Sequence, residues 1–412
     1  MEHSSKRIFY GWWVVAASFA VAFYVGGTVI YGFTAFFEPI AEDFSWSYTQ
    51  VSVAASLRGL EMGFFAPIMG FLVDRFGSRK LAVCGTIAVG SGLVLLSRTS
   101  SLPTFYGSFV ILALGVSACT GTVLMTAVAN WFRKNVGRAL GIMASGFGAS
   151  GLLVLLVVRL IDTYQWRNTL LILGLGMWVI VTPLALAIRR GPEQYGYLPD
   201  GEQPGESTQN RESGTNEITF GKSVRDTCFW QIAGAEGIRM MIVMAVITHV
   251  MPYLSSEGVG RSSAALITTA IPLLSIIGRF GFGWVGDILD KRYVMAAAYF
   301  LMGAGLLAFS HIHVAWLVIA FLLLFSPAYG GLTSLRGAIL REYFGRTSFG
   351  RIIGVLMGLA ALCGMLGPAV AGWVFDNSGS YRIVWLAFSG VTAIAAVLML
   401  RVRRLPQGLP EN

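Results

Sequence analysis

Six stretches of this sequence run for 20 residues or more without a charged side chain. They cover residues 8–37, 99–132, 139–158, 168–188, 293–335 and 352–375. An α-helix needs about 20 apolar residues to cross a bilayer, and only 12% of the chain is charged, about half the share found in soluble domains. The sequence therefore predicts an all-α integral membrane protein, and it excludes soluble enzymes and nucleic-acid-binding domains as descriptions of the whole chain.

Glycine, proline and charged residues divide the apolar sequence into twelve predicted transmembrane helices. These lie near residues 9–37, 48–73, 80–97, 103–131, 139–161, 168–188, 228–253, 263–286, 293–310, 314–340, 350–375 and 382–400. Residues 190–224 are polar and rich in Gly, Glu, Ser and Asn, which is typical of a flexible linker. The predicted domains are an N-terminal six-helix bundle (1–189), the linker (190–224) and a C-terminal six-helix bundle (225–412).

Basic residues are concentrated in alternate connections between these helices. The opposite connections hold Arg98, Arg167, Arg261 and Arg382. Because positively charged segments remain in the cytoplasm, both termini and the linker are predicted to be cytoplasmic. The compact loops favour the plasma membrane of a bacterium, its inner membrane. The basic residues that give the chain its net charge of +9 lie in the connections between apolar segments. Because this pattern sets the membrane orientation, no nucleic-acid partner is expected.

The two predicted bundles repeat each other in sequence. Gly70-x-x-x-Asp74 recurs as Gly283-x-x-x-Asp287, and Gly137-Arg138-x-x-Gly141 recurs as Gly350-Arg351-x-x-Gly354, each at an offset of 213 residues. A parallel duplication of this kind places a substrate site between the halves near the bilayer midplane. It also predicts rocking between inward-open and outward-open states.

The loop after the second predicted helix carries the most specific motif of the chain. Its sequence, Gly70-Phe-Leu-Val-Asp74-Arg75-Phe-Gly77-Ser-Arg79-Lys80, resembles the G-x-x-x-D-R-x-G-x-R-K signature of the major facilitator superfamily at every defined position. The resemblance implies the twelve-helix fold of that superfamily. It also implies a gating loop in which the aspartate faces a helix N-terminus and the basic residues pair across the halves.

Two further segments are similar to the monocarboxylate transporters and the oxalate/formate antiporters. One is Tyr10-Gly11-Trp12-Trp13 on the first predicted helix, and the other runs from Trp131 through Gly151. This resemblance implies a small carboxylate as the substrate and an arginine on the eighth predicted helix as its anchor. Ser275 stands where animal relatives carry an aspartate, and the first predicted helix has no lysine, so proton coupling through those two positions is in doubt.

Charged residues inside predicted helices are functional candidates, because placing a charge in the bilayer centre costs roughly 2.5–3.5 kcal/mol. Arg279 lies eight residues before Asp287, about 12 Å from that helix end, with no acidic residue one turn away. The flanking Gly278 and Gly281 predict room for a ligand beside its guanidinium. We therefore expect Arg279 to bind a carboxylate, with an ion pair to an acid on another helix as the alternative.

The other charges within the predicted helices occur in pairs. Arg58 with Glu61 and Glu236 with Arg239 are each three residues apart, so each pair shares a helix face and is expected to form an intramembrane ion pair. An arriving anion can change the proton affinity of a buried carboxylate. Glu236 is therefore the first candidate for a proton carrier, followed by Glu61 and His249.

Three tyrosines complete the predicted substrate site, together with Ser275. Tyr24 and Tyr31 are seven residues apart on the first helix, and Tyr329 follows Pro327 on the tenth. Their hydroxyl groups are candidates for hydrogen bonds to a carboxylate. Core packing explains each of them equally well.

These observations predict a secondary transporter rather than an enzyme. The expected substrates are small monocarboxylates such as lactate or pyruvate, carried with a proton by alternating access, in a chain that works as a monomer within the lipid bilayer. One alternative is a carboxylate exchanger of the oxalate/formate type. Residues 352–375 carry no charged side chain, which disfavours oxalate as its substrate. The other alternative is an exporter of apolar compounds. No metal, cofactor or ATP-binding motif is found in the sequence.

Overall fold

The computed structural model describes residues 9–46, 64–195, 198–201, 220–312 and 315–403, and these are nearly all helical. In the N-terminal half the helices are α1 (Tyr10–Val25), α2 (Phe33–Phe44), α3 (Ala66–Phe76), α4 (Ser78–Ser97), α5 (Leu102–Cys119), α6 (Gly121–Trp131), α7 (Val136–Ala149), α8 (Gly151–Gly176) and α9 (Thr182–Leu186). π-Helical turns at Gly26–Ile30 and Met177–Val181 extend α1 and join α8 to α9.

The C-terminal half consists of longer helices. They are α10 (Phe220–Arg225), α11 (Thr227–Ser256), α12 (Arg261–Ile288), α13 (Lys291–Phe309), α14 (Ala315–Phe344), α15 (Phe349–Ser378) and α16 (Arg382–Arg401). Single 3₁₀ turns at Glu193–Tyr195 and Pro199–Gly201 lie in the segment between the halves. The prediction of an all-helical fold is confirmed.

Ten helical segments of the described residues are long and apolar enough to cross a membrane. The segment Val136–Leu186 counts as one of them although it has 51 residues. Its chain reverses at Gln165, whose φ is 64° and ψ is 164°, so it contains the predicted fifth and sixth helices. Large apolar side chains on the outside of the bundle, such as Leu266 and Val179, are 73% exposed, as expected for a surface that faces lipid.

The fourth predicted helix is broken in the structure. Thr120 has extended backbone angles and Gly121 has a φ of +36°, so α5 ends before α6 begins. The Thr120 hydroxyl donates a hydrogen bond of 2.7 Å to the carbonyl of Val116. This bond satisfies a carbonyl that would otherwise accept from the backbone of an unbroken helix.

The halves contact each other through two equivalent helix pairs, α3 with α15 and α7 with α12. Glycines bring the backbones together at both crossings. A Cβ atom on Gly70 would lie 2.2 Å from the carbonyl oxygen of Gly350, and one on Gly283 would lie 2.6 Å from that of Gly137. These are the glycines that the two halves repeat in sequence. At each crossing, the glycine of one half's Gly-x-x-x-Asp motif (Gly70 or Gly283) meets the glycine of the other half's Gly-Arg-x-x-Gly motif (Gly350 or Gly137).

Candidate functional site

Arg279 lies on α12 where this helix crosses α7 of the opposite half. A Cβ atom on Gly141 would lie 2.3 Å from the carbonyl oxygen of Arg279, and one on Gly148 would lie 3.2 Å from its Nη1 atom. Arg279 is 3% exposed, and its Nη1 donates a hydrogen bond to the carbonyl of Ala144 on α7. The guanidinium therefore lies at the interface between the halves.

No acidic side chain of the described residues forms an ion pair with Arg279. Among the described residues, its buried Nε atom finds no hydrogen-bond acceptor. A buried donor left unpaired costs about 1–3 kcal/mol, and more when the group is charged. The geometry therefore leaves part of this guanidinium without the anion that would stabilise it.

The two glycines beside Arg279 differ in their surroundings. A Cβ atom on Gly278 would lie 1.8 Å from the carbonyl oxygen of Pro327, whereas one on Gly281 would meet nothing within 4 Å. The expectation that Gly278 leaves room for a ligand is wrong, because the backbone of α14 occupies that space. Gly278 instead permits the close crossing of α12 and α14.

Glu236 binds two arginines in the centre of the C-terminal half. Its Oε2 accepts a hydrogen bond of 2.8 Å from Nε of Arg239, and its Oε1 accepts from Nη2 of Arg239 and from Nη1 of Arg336, both at 2.5 Å. All three residues are at most 5% exposed. We call Glu236, Arg239 and Arg336 the buried triad.

Arg336 on α14 was missed as a functional candidate. In sequence it follows a stretch of 43 uncharged residues (293–335) and precedes Arg341 and Arg346, which makes it resemble another basic residue at a helix end. Its position contains one usable signal. Arg336 lies eight residues before Phe344, the last residue of α14, and Arg279 lies nine residues before Ile288, the last residue of α12, so counting back from the helix ends places the two arginines at similar depths.

Tyr329 lies near both Arg279 and the Arg239 member of the buried triad. The centre of its ring is 6.0 Å from the guanidinium carbon of Arg279 and 5.8 Å from that of Arg239. A cation near an aromatic face is attracted by the ring quadrupole. Tyr329 is therefore the predicted tyrosine that the structure brings to Arg279.

The other predicted partners of Arg279 lie elsewhere or are already hydrogen bonded. Tyr24 donates a 2.9 Å hydrogen bond to the carbonyl of Leu173 within the N-terminal half. Ser275 is fully buried, and its hydroxyl donates to the carbonyl of Pro272 on its own helix at 2.6 Å. Tyr31 is partly exposed, just after the π-helical turn that extends α1. Arg58 and Glu61 lie outside the described residues.

His249 joins three helices of the C-terminal half. Its Nε2 is 3.0 Å from the carbonyl oxygen of Pro368, which can only accept, and its Nδ1 is 3.1 Å from the hydroxyl of Tyr381. The histidine therefore donates from Nε2, and Nδ1 accepts from Tyr381 when the ring is neutral. Both ring nitrogens are engaged.

The motif aspartates hold the halves together at one end of the bundle, which we call the latch end. The carboxylate of Asp74 accepts hydrogen bonds of 3.0 and 2.9 Å from the backbone N–H groups of Gly350 and Arg351, at the N-terminus of α15. Asp287 accepts bonds of 2.7 and 2.8 Å from Gly137 and Arg138, at the N-terminus of α7. Each carboxylate thus interacts favourably with the helix dipole of the other half.

The basic residues of the motif behave differently from the aspartate. Within the part of the chain that the structure describes, no acid of the other half pairs with Arg75, Arg79 or Lys80. Gly77 has a φ of +85°, which glycine adopts without strain, and it allows α4 to begin directly after α3. Arginines of the C-terminal half reach the N-terminal half at this end instead: Arg341 Nε donates a 3.1 Å hydrogen bond to the carbonyl of Ala129, and Arg346 makes further contacts.

Arg346 connects the C-terminal half to both the N-terminal half and the linker. Its Nε donates a 3.2 Å hydrogen bond to Oδ1 of Asn130, and its other nitrogens bind the carboxylate of Glu193. Burial raises the pKa of Glu193, but the hydrogen bonds and charge of Arg346 outweigh it and hold that pKa below its ordinary value. This ion pair is therefore present at neutral pH and weakens only as the pH falls through that lowered pKa.

Neutralising both motif aspartates is expected to open the latch end. Each carboxylate stabilises the closed latch end by about 1 kcal/mol through its capping bonds and the helix dipole. The double variant Asp74→Asn with Asp287→Asn should therefore shift the equilibrium between the closed and the open latch end roughly 30-fold toward the open form. Leu140 is fully buried, and its side chain lies against Gly337 of the other half. A cysteine introduced at Leu140 should therefore react faster with a maleimide in the double variant.

Asp290→Asn is the matched control for this experiment. Asp290 lies at the latch end but binds Arg292 within its own half, at 2.6 Å. Labelling of the Leu140 cysteine should stay unchanged in this variant. Equal rates in the wild-type background and the double aspartate variant would show that the motif aspartates do not hold the halves together.

Comparison with known proteins agrees with this architecture. The family description Major Facilitator Superfamily matches residues 15–248 and 237–412. Monocarboxylate transporter 12 of Xenopus laevis is 24% identical over 98% of this chain and 90% of its own length, and that of Mus musculus is 26% identical over 96% and 85%.

The fold is shared with solved transporters of low sequence identity. The proton:xylose symporter XylE superposes with a TM-score of 0.76 at 11% identity, over 96% of each chain. This likeness concerns the fold alone. Since the family description matches the chain from residue 15 to residue 412, the protein belongs to the major facilitator superfamily and is a membrane transporter.

Proposed function

We propose that this protein is a secondary active transporter of small carboxylates, with Arg279 as the carboxylate anchor. The observation that carries the proposal is the buried guanidinium at the interface between the halves, for which the described residues supply neither an acceptor at Nε nor a neutralising acid. The planar fork of an arginine binds a carboxylate through two parallel hydrogen bonds. Relatives that are named monocarboxylate transporters support lactate-like or pyruvate-like acids as substrates.

Alternating access follows from the position of Arg279. The contacts between the halves described above lie between the latch end and the level of Gly148 and Ile276. A substrate bound to Arg279 therefore lies at the edge of this contact region that is farther from the latch end. Opening the latch and closing the opposite end would expose the same guanidinium to the other side of the membrane.

The direction of the molecule in the membrane is part of this proposal. The distribution of lysine and arginine favours a cytoplasmic latch end with both termini in the cytoplasm, in the plasma membrane of a bacterium. The described conformation is then the outward-facing one. Transport requires one protein chain, a carboxylate and the bilayer.

Proton coupling is proposed to involve Glu236. A carboxylate that arrives at Arg279 also attracts Arg239, because both guanidinium groups lie about 6 Å from the same Tyr329 ring. Weakening the bond between Arg239 and Glu236 favours the protonated form of Glu236. A monocarboxylate and a proton then move together without net charge.

Uptake into proteoliposomes tests the transport activity directly. Radiolabelled mono- and dicarboxylates of one to five carbons are supplied with and without an inward proton gradient. We expect uptake of small monocarboxylates that the gradient accelerates. Absence of uptake for every acid by correctly folded protein would refute the proposed function. Uptake at the same rate with and without the proton gradient would refute only the proton coupling.

Glu236→Gln is expected to uncouple uptake from the proton gradient while sparing exchange of substrate across the membrane. Glutamine retains an acceptor for both arginines but carries no titratable proton. Glu342→Gln is the matched control, since Glu342 pairs with Lys291 at 2.6 Å near the latch end and should leave coupling intact. Persistent gradient-driven uptake in Glu236→Gln would mean that Glu236 does not carry the proton, and Glu61 and His249 would be the next candidates.

A further inference from the structure

The described centre of the C-terminal half holds more positive charge than one monocarboxylate neutralises. Besides Arg292, which pairs with Asp290 at the latch end, the buried charged side chains there are Glu236, Arg239, Arg279 and Arg336. Three guanidinium groups and one carboxylate leave an excess of two positive charges.

The unpaired donors of this cluster are distributed over two places. One is Nε of Arg279. The other comprises Nε of Arg336 and Nη1 of Arg239, which are likewise buried and have no acceptor in the part of the chain that the structure describes. The buried hydroxyl of Tyr299 also has no hydrogen-bond partner among these residues, and it interacts electrostatically with all three members of the buried triad.

The orientation of Arg336 distinguishes it from an ordinary structural ion pair. Glu236 binds only its Nη1 atom, while Nη2 approaches the thioether sulfur of Met125 in the opposite half at 3.6 Å. A thioether is a weak acceptor. The Nε–Nη2 edge, which forms the bidentate fork of an arginine, is therefore directed toward the interface without a strong acceptor.

We infer that Arg336 and Arg239 form a second anion subsite, which binds the second carboxylate of a short dicarboxylate whose first carboxylate is held by Arg279. The inference rests on the proposed function for the Arg279 end only. A dicarboxylate neutralises both excess charges, whereas a monocarboxylate leaves one of them buried, which is unfavourable in a low dielectric. The carrier should thus bind dicarboxylates more tightly than monocarboxylates of equal length.

The geometry limits the length of such a substrate. The guanidinium carbons of Arg239 and Arg279 are both about 6 Å from the centre of the Tyr329 ring and are thus on the order of 12 Å apart at most. A bound carboxylate carbon lies roughly 4 Å from the guanidinium carbon, bidentately at Arg279 and through the unpaired Nη1 at Arg239, whose Nε and Nη2 already bind Glu236. At most about 4 Å therefore remains between the two carboxylate carbons, which limits the substrate to acids of no more than four carbons.

Thermal stabilisation of the purified protein at pH 8 measures binding without requiring transport. Oxalate, malonate and succinate are compared with acetate, propionate and butyrate, and adipate serves as the overlong acid. A second guanidinium several ångströms from the added charge should improve binding about tenfold or more. We expect half-maximal stabilisation by the three short dicarboxylates at concentrations at least tenfold lower than by the monocarboxylates, and no such advantage for adipate.

Variants locate the subsite. In Arg336→Gln, the concentrations of succinate and butyrate that give half-maximal stabilisation should lie within about threefold of each other, while butyrate binding is retained. Arg279→Gln should weaken the binding of both acids. If Arg336→Gln alone does not fold, Arg336→Lys keeps a positive charge beside Glu236 but lacks the planar fork, and the preference for succinate over butyrate should again decrease. Arg401→Gln, at an exposed helix end, is the control that should keep the preference.

The outcomes separate the inference from the proposed function. Binding of monocarboxylates with no advantage for dicarboxylates, or a preference that survives removal of Arg336, would overturn the second subsite and leave the Arg279 anchor standing. Failure of every carboxylate to stabilise the folded protein would refute the carboxylate site itself.

Discussion

Replacing Arg279 with glutamine is expected to lower the ratio kcat/KM for carboxylate uptake at least 100-fold without loss of folded protein. The substrate carboxylate loses its charge-assisted hydrogen bonds, each of which contributes about 1.5–3 kcal/mol. Glutamine still offers an N–H group to the carbonyl of Ala144, which accepts from Arg279 in the wild-type protein. The measurement is the initial rate of uptake into proteoliposomes over a range of substrate concentrations.

Arg279→Lys separates the contribution of charge from that of geometry. Lysine keeps the positive charge but lacks the planar fork, so we expect an intermediate loss of about tenfold. Arg401→Gln, which removes an exposed arginine at the end of α16, should transport as the wild type does. Full activity in both Arg279 variants would show that the carboxylate is bound elsewhere.

Gly278→Ala is expected to prevent normal packing of α12 against α14. The added methyl group would lie 1.8 Å from the carbonyl oxygen of Pro327, and neither atom belongs to a flexible side chain. The two helices must separate, which also disturbs the crossing of Gly330 with Ser275. Overpacking typically costs about 1–3 kcal/mol, and we expect the upper end of this range here because backbone meets backbone. This corresponds to a decrease in Tm of about 6 °C.

Gly281→Ala is the matched control, three residues along the same helix. A Cβ atom there meets nothing within 4 Å, and alanine is favoured over glycine in a helix by roughly 0.5–1 kcal/mol. The Tm of this variant, measured in the same detergent, should be equal to or slightly above that of the wild type. A similar decrease in both variants would mean that the Gly278 crossing is not specifically tight.

The sequence located Arg279 better than it located the partners of Arg279. Its depth in the bilayer followed from the distance to Asp287, because every helical residue advances the chain by about 1.5 Å. The role of Gly278 could not be deduced in this way. A glycine beside a buried cation is compatible with a ligand or with another backbone, and only the position of Pro327 decides between them.

The triad illustrates a second limit of sequence reasoning. Glu236 and Arg239 are one helical turn apart, so their pairing could be predicted from spacing. Arg336 is 100 residues from Glu236 in the chain and reaches it only because α14 lies across the bundle from α11. Spacing along the chain contains no information about such a contact.

Tyr24 and Tyr329 were equivalent candidates in sequence, but their environments in the fold are different. Tyr24 donates to Leu173 within its own half, whereas the ring of Tyr329 lies about 6 Å from the guanidinium carbons of both Arg239 and Arg279. The heptad spacing of Tyr24 and Tyr31 indicates a shared helix face. It does not indicate whether that face meets the other half.

The sequence by itself determined that the chain crosses a membrane as apolar helices and that its two halves carry the same motifs. Those conclusions depend on the transfer free energy of each segment and on spacing along one helix, which are local properties. The tertiary structure alone decided which buried charges are neutralised and where their free donors point. Neutralisation depends on short distances between side chains of different helices, and those distances exist only after the helices have packed together.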